Sequence, residues 1–104
     1  MILGPASRIW GCGLAVAALL GRSFGRDGLR GTAVLDLGTG SGVAGLAAAA
    51  LGASAVLTDR ADSLAGARFN AERLASAGVP FFVYFLCMYY VAFVADELHL
   101  RKSL

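Results

Sequence analysis

Hydrophobic and polar positions along the chain alternate in blocks that are separated by glycine-rich turns. Three longer blocks are predicted as helices, and two short apolar blocks fit strands that are buried on both faces. The predicted elements are a helix over 7–20, a strand over 32–37, a helix over 43–51, a strand over 54–58 and a helix over 61–77. This order is typical of the opening of a doubly wound α/β sheet.

Glycines and prolines mark the predicted ends of these elements. Ser7 is placed to cap the first helix, and Gly21 is placed to end it. The segment 21–31, "GRSFGRDGLRG", carries three arginines and no helix start follows it at once. We therefore expect a mobile basic linker rather than a phosphate-binding loop.

The last apolar block differs from the others in its length. Residues 81–95 contain no charge, and the run is too long for one strand, which usually has about five or six residues. We expect a partial domain over 1–79 and an atypical hydrophobic tail over 80–104. In the alternative, the run packs over the sheet as a third strand or a long helix.

A membrane span is a further possibility for this part of the chain. The uncharged stretch 74–95 is within reach of the roughly 20 residues that a bilayer requires. Gly78 and Pro80 interrupt the stretch, so membrane association through 81–95 is not favoured.

Composition limits the classes of partner. The chain has 104 residues, of which 58% are hydrophobic, and a net charge of +2 that is too small to indicate nucleic acid. Cys12 and Cys87 have no metal-like spacing, so we expect two free, buried thiols in a reducing, cytoplasmic setting. His99 is the only histidine. It is expected at the surface, and no metal site is expected.

The turn after the first predicted strand carries the candidate chemistry. Glycines over 38–42 allow backbone N–H groups and a helix N-terminus to lie against a ligand. Asp59, at the end of the next strand, is placed to accept hydrogen bonds from both hydroxyls of a ribose. The sequence therefore predicts a cofactor that contains adenosine.

Two cofactors fit the turn. Gly40, Gly42 and Gly45 match the dinucleotide fingerprint, but Asp36 stands two residues before Gly38, where a pyrophosphate would meet a carboxylate. S-adenosylmethionine carries a sulfonium and an ammonium group and no phosphate, so a carboxylate suits it. The alternative for Asp36 is that it only caps the turn.

The quoted stretches resemble a known family. "VLDLGTGSGVAGLAAAALGASAVLTDR" resembles motif I and the following acidic strand end of class I S-adenosylmethionine-dependent methyltransferases. "SRIWGCGLAVAALL" is similar to the helix that precedes motif I in the seven-strand protein-lysine methyltransferases. Trp10, Asp59 and Asn70 carry the likeness to that subfamily, and the resemblance spans roughly residues 7–78.

The resemblance implies the N-terminal part of a Rossmann-like fold with an incomplete sheet, and methyl transfer from S-adenosyl-L-methionine to a protein lysine. It implies that the turn holds the amino-acid end of the cofactor, that Asp59 holds the ribose, and that Trp10 either walls the pocket or packs in the core. The implied cofactor-binding residues are Trp10, Asp36, Gly38, Thr39, Gly40, Gly42 and Asp59.

The resemblance ends after the second strand and its helix. We therefore expect a truncated form that is inactive on its own, and no residue is assigned a catalytic role. The rival interpretations are a fragment of an NAD-type oxidoreductase and a membrane-anchored or interaction protein without enzymatic activity.

Overall fold

Helices and strands alternate along the chain in the computed structural model, which describes residues 11–78 and 82–87. The elements are α1 (Gly11–Phe24), β1 (Ala33–Asp36), α2 (Val43–Ala50), β2 (Ser54–Asp59), α3 (Leu64–Ser76, preceded by the 3₁₀ turn Ala61–Ser63) and β3 (Phe82–Cys87). The predicted α/β class is confirmed, and the predicted boundaries of β1, α2 and β2 agree within one residue.

The three strands form one parallel sheet in the order β1–β2–β3. Parallel neighbours need a crossover connection, and α2 and α3 provide the two that this sheet requires. The carboxyl ends of β1 and β2 therefore lie side by side at one edge of the sheet. This arrangement is the N-terminal part of a Rossmann-like fold, as predicted.

The third strand confirms the alternative interpretation of the aromatic run. The run as a whole is too long for one strand, but its residues 82–87 form β3, with Val83 opposite Ala55 and Phe85 opposite Leu57. The described sheet therefore has three strands rather than two. Uniform apolarity hid the strand, because the run has no periodicity that marks an end. Residues 88–95 lie outside the described residues.

One face of the sheet carries the main core. Leu57 in β2 is fully buried, and α2 and α3 both pack on it. The guanidinium of Arg68 lies 4.8 Å from the ring centroid of Phe85, so α3 also covers part of β3. The buried members of this cluster are Leu46, Ala49, Ala55, Leu57, Ala67 and Ala71, with Leu74, Val83 and Phe85 packed against them.

The opposite face of the sheet is largely open. Leu35, Val56 and Tyr84 stand directly opposite one another on the three strands, so their side chains form one row across that face. Leu35 is 56% exposed and Tyr84 is 65% exposed. We call these three residues the open row.

Helix α1 ends further along the chain than predicted. It passes through Gly21 and ends at Phe24 rather than at Leu20. Gly25 has a left-handed conformation, and its N–H donates to the carbonyl of Gly21 at 3.0 Å, which closes the helix. Gly25 therefore has the role that was predicted for Gly21.

The segment predicted as a mobile linker packs on the protein. Leu29 is buried against Ala48 and Ala53, and its N–H donates to the carbonyl of Leu51 at 3.0 Å. Arg30 pairs with Asp27 at 3.3 Å, and both side chains are exposed. Of the two apolar side chains in this glycine- and arginine-rich segment, Leu29 is the one that anchors it to the core, because Phe24 is 49% exposed.

Several predictions concern residues that the structure does not describe or only partly tests. Trp10, His99 and the proposed helix start at Ser7 lie outside the described residues. Both cysteines are free, but Cys12 is exposed, so the prediction that both are buried was wrong. Within residues 11–78 and 82–87, no helix is long and apolar enough to cross a membrane. The same residues contain no cluster of metal-ligating side chains.

Candidate cofactor site

The glycine turn joins the carboxyl end of β1 to the first residue of α2. Gly38, Gly40 and Gly42 have φ angles of 68°, 57° and 90°, so every second residue of the turn is in the left-handed region. A residue with a Cβ adopts this region only at a cost, which explains why the three glycines alternate.

Asp36 closes the base of the turn. Its Oδ2 accepts a hydrogen bond from the hydroxyl of Thr39 at 2.6 Å and another from the N–H of Gly45 at 3.0 Å. One carboxylate oxygen therefore ties the strand, the turn and the first turn of α2 together. A carboxylate offers about four lone-pair sites, so Asp36 retains acceptor capacity beyond these two bonds.

Gly45 has a role that the sequence interpretation did not assign. A Cβ at this position would lie 2.8 Å from the side chain of Leu57 and 2.8 Å from Oδ2 of Asp36. Glycine therefore allows α2 to approach the sheet closely enough for its N–H to reach Asp36. The signal in the sequence was the third glycine of the fingerprint, which serves helix–strand packing.

Asp59 joins the end of β2 to the middle of the turn. Its Oδ2 accepts from the N–H of Gly40 at 2.8 Å, and its Oδ1 accepts from the N–H of Arg60 at 2.8 Å. The side chain is only partly buried, and each oxygen has a further lone pair for a ligand hydroxyl. Asp59 thus braces the turn from the carboxyl end of β2 and keeps acceptor capacity for a ligand.

Thr58 is a second residue that sequence reasoning missed. It is fully buried, its hydroxyl donates to the carbonyl of Asp36 at 2.9 Å, and its own carbonyl accepts from the N–H of Thr39 at 2.7 Å. These bonds join β1 and β2 at the point where the chain leaves β1 for the turn. A buried hydroxyl needs such partners.

Helix α3 also contacts the turn. The side-chain amide of Asn70 donates to the carbonyl of Ser41 at 2.8 Å. A Cβ at Gly42 would lie 3.2 Å from the Cβ of Ala67, so α3 packs closely against the turn at this glycine. The turn is therefore held by β2 on one side and by α3 on the other.

The two charged side chains that form hydrogen bonds with turn residues are both acidic. Asp36 and Asp59 both contact turn residues through their carboxylates, whereas the nearby Arg60 pairs with the exposed Asp62 at 3.3 Å. Two carboxylates beside a helix N-terminus suit a ligand that is cationic at one part and carries hydroxyls at another. The structure brings together the predicted residues Asp36, Gly38, Thr39, Gly40, Gly42 and Asp59.

A second concavity lies beside α1. This groove of about 330 Å³ is lined mostly by apolar side chains of α1, β1 and α2, with Asp36 and Gly45 among its lining residues. Apolar walls of this kind do not match a ligand with a ribose and an amino-acid group. We therefore do not place the cofactor in this groove.

Comparisons with known proteins agree with the geometry. A family model described as lysine methyltransferase matches residues 2–77. Protein N-lysine methyltransferase METTL21A of Danio rerio is 37% identical over 62 residues, which cover 60% of this chain and 28% of that protein. METTL21A of Mus musculus is 36% identical over 70 residues, which cover 67% of this chain and 31% of that protein.

The chain thus spans less than a third of the length of these curated relatives. The matched residues contain α1, the glycine turn, both carboxylates that contact it, and α3. The NAD-type oxidoreductase is accordingly not favoured. Because the family model covers well over half of the chain, the protein belongs to the lysine methyltransferase family.

Proposed function

We propose that this chain binds S-adenosyl-L-methionine at the glycine turn and forms the cofactor-binding part of a protein-lysine methyltransferase. The observation that carries the proposal is the pair of carboxylates, Asp36 and Asp59, that contact the turn directly. The names of the curated relatives, which are protein N-lysine methyltransferases, support the acceptor class.

The carboxylates favour this cofactor over a dinucleotide. A pyrophosphate binds through backbone N–H groups of such a turn. Here the N–H of Gly40 already donates to Asp59, and the N–H of Gly45 donates to Asp36. A pyrophosphate would have to replace carboxylates and lie close to them, whereas a sulfonium and an ammonium group would be attracted.

Each site residue has a proposed role. Asp36, Gly38, Thr39, Gly40 and Gly42 hold the amino-acid end of the cofactor, because they form the turn and its carboxylate base. Asp59 accepts the ribose hydroxyls with the lone pairs that its present hydrogen bonds leave free. Trp10 lies outside the described residues, and its proposed role, either in the pocket wall or in the core, rests on the resemblance alone. When bound, the cofactor supplies a methyl group on a sulfonium, which departs without help from an acid.

The chain's part in the reaction is to bind and orient. Methyl transfer needs the nucleophile in line with the methyl group, and the nucleophile here is the deprotonated ε-amine of a protein lysine. We assign no catalytic residue, and we place the protein in the cytoplasm, without nucleic acid or metal as a partner.

Calorimetry with the 104-residue chain tests the proposal. S-adenosylhomocysteine should bind, and NAD should bind much more weakly or not at all. Asp59→Ala should weaken S-adenosylhomocysteine binding by about 1–3 kcal/mol, the usual loss when buried polar groups lose a partner. Asp62→Ala is the matched control, because Asp62 is exposed and pairs only with Arg60 and Ser63 among the described residues. Tighter binding of NAD would overturn the proposal.

An activity assay separates cofactor binding from turnover. Labelled methyl transfer from S-adenosylmethionine to a pool of lysine-rich proteins should stay at the level of the blank for this chain. The reason is that cofactor binding alone does not orient an acceptor amine. Turnover by the 104-residue chain would show that it also provides an acceptor site.

A further inference from the structure

Asn70 occupies an unexpected position in α3. It lies mid-helix, next to the buried stripe that Ala67 and Ala71 form. Asparagine is a poor residue for a helix interior, because its amide competes for backbone hydrogen bonds. A polar side chain beside a buried stripe therefore calls for a specific partner.

That partner is the glycine turn. Nδ2 of Asn70 donates to the carbonyl of Ser41 at 2.8 Å, across 29 positions of sequence. The N–H of the same peptide unit belongs to Gly42, and it donates to the carbonyl of Thr39 at 2.8 Å. The Ser41–Gly42 peptide is thus held at both its carbonyl and its N–H.

This double hold matters because of the residue that follows the peptide bond. Glycine adopts positive and negative φ with similar ease, so a peptide that precedes a glycine can rotate its carbonyl and N–H to the opposite sides. Gly42 has a φ of 90°, and rotation of the peptide would change that angle and redirect the start of α2. Among the described residues, the hydrogen bond from Asn70 is the only one that holds the carbonyl of this peptide.

Ala67 supports the same arrangement through packing. Its Cβ would lie 3.2 Å from a Cβ at Gly42, so α3 and the turn are already in close contact. Asn70 is three residues further along α3 and reaches the preceding residue of the turn. Helix α3 therefore contributes both a packing contact and a hydrogen bond to this part of the turn.

We propose that Asn70 is a positioning residue for the cofactor site, which acts by holding the Ser41–Gly42 peptide in the orientation that the cofactor requires. This inference rests on the proposed function, since the ligand is S-adenosylmethionine. Asn70 does not touch the cofactor. Its effect reaches the ligand through the turn.

The unaltered chain offers a direct measurement. Asn70 is the only asparagine and the sequence has no glutamine, so its carboxamide gives the only side-chain NH₂ pair of that kind in an amide NMR spectrum. S-adenosylhomocysteine should slow hydrogen exchange of this pair, because a ligand stabilises the conformation that it prefers. Unchanged exchange at saturating S-adenosylhomocysteine would overturn the inference, and this result does not depend on any variant.

Variants test the cause. Asn70→Ala removes the donor, and Asn70→Asp keeps the size but places an acceptor against the Ser41 carbonyl. Each should weaken S-adenosylhomocysteine binding about two- to tenfold, the factor expected for one hydrogen bond, and should speed amide exchange at Gly42. Glu72→Ala, at an exposed position of the same helix, is the control and should change neither quantity.

The readouts distinguish the possible failures. If Asn70 served stability alone, both variants would lower the urea midpoint while leaving affinity unchanged below the unfolding transition. Equal affinity of the unaltered chain and both variants would therefore overturn the positioning role. If the unaltered chain does not bind S-adenosylhomocysteine, the proposed function itself is overturned, and the role of Asn70 in cofactor binding falls with it.

Discussion

The two faces of the sheet differ sharply, although the same three strands form both. On the helix face, Leu57 is fully buried beneath α2 and α3. On the other face, the open row of Leu35, Val56 and Tyr84 has two members that are more than half exposed. Parallel sheets are ordinarily covered on both faces, so this sheet has one finished face and one that exposes apolar side chains.

The difference shows which part of the molecule organises the site. Among residues 11–78 and 82–87, every hydrogen bond that holds the glycine turn comes from the turn itself, from the ends of β1 and β2, or from α2 and α3. None of these elements needs a cover on the open face to make its contacts. The bonds that hold the turn therefore do not depend on the open row, which bears on association and stability.

The largest expected effect comes from comparing two leucines, one on each face of the sheet. Leu57→Ala should lower the free energy of unfolding by about 2–5 kcal/mol, because it leaves a cavity between the sheet and two helices. Leu35→Ala should lower it by about 0.5 kcal/mol or less, because the side chain is already exposed. Urea unfolding followed by circular dichroism measures both. Equal losses would indicate that the open row is covered in solution.

A matched pair of glycines gives a smaller effect. Gly45→Ala places a methyl group 2.8 Å from Leu57 and Asp36, which should destabilise the chain by about 1–3 kcal/mol through overpacking. Gly66→Ala on α3 meets nothing within 4 Å and should stabilise the chain by about 0.5–1 kcal/mol through helix propensity. The unfolding midpoints of the two variants should therefore move in opposite directions. A stable Gly45→Ala variant would mean that α2 can move away from the sheet without cost.

The sequence was sufficient to predict β1, α2 and β2 and the residues of the turn. The signals were local: short apolar blocks, alternating glycines, and an acid at the end of each strand. The structure has these features at Asp36, Gly42 and Asp59. The bonds among these residues were not predictable, because Asp59 and Gly40 are 19 positions apart and no local pattern encodes their contact.

Two misjudged elements show the limits of local signals. Gly21 lowers helix stability by roughly 1 kcal/mol relative to alanine, but α1 continues past it to Phe24. Leu20 packs against the buried cluster of Leu29, Ala48 and Ala53. Strand β3 was hidden in a run where every residue is apolar. Its position follows only from pairing with β2, where alternate side chains face the core and the open face.

Charged substitutions in the open row should change the association of the chain clearly and its stability very little. Leu35 and Tyr84 lie on either side of Val56, and an exposed apolar row of this kind favours contact with another apolar surface. The double variant Leu35→Lys with Tyr84→Lys should shift the chain toward monomer in size-exclusion chromatography with light scattering. Its unfolding free energy should stay within about 0.5 kcal/mol of the unaltered chain, as is usual for exposed positions.

The control is Leu14→Lys with Leu19→Lys on α1, which adds the same charge at two leucines that are also more than half exposed. If both double variants disperse the chain equally, added charge is the cause and the open row has no special part in association. If only the first does so, the unfinished face of the sheet is the surface through which copies of the chain meet.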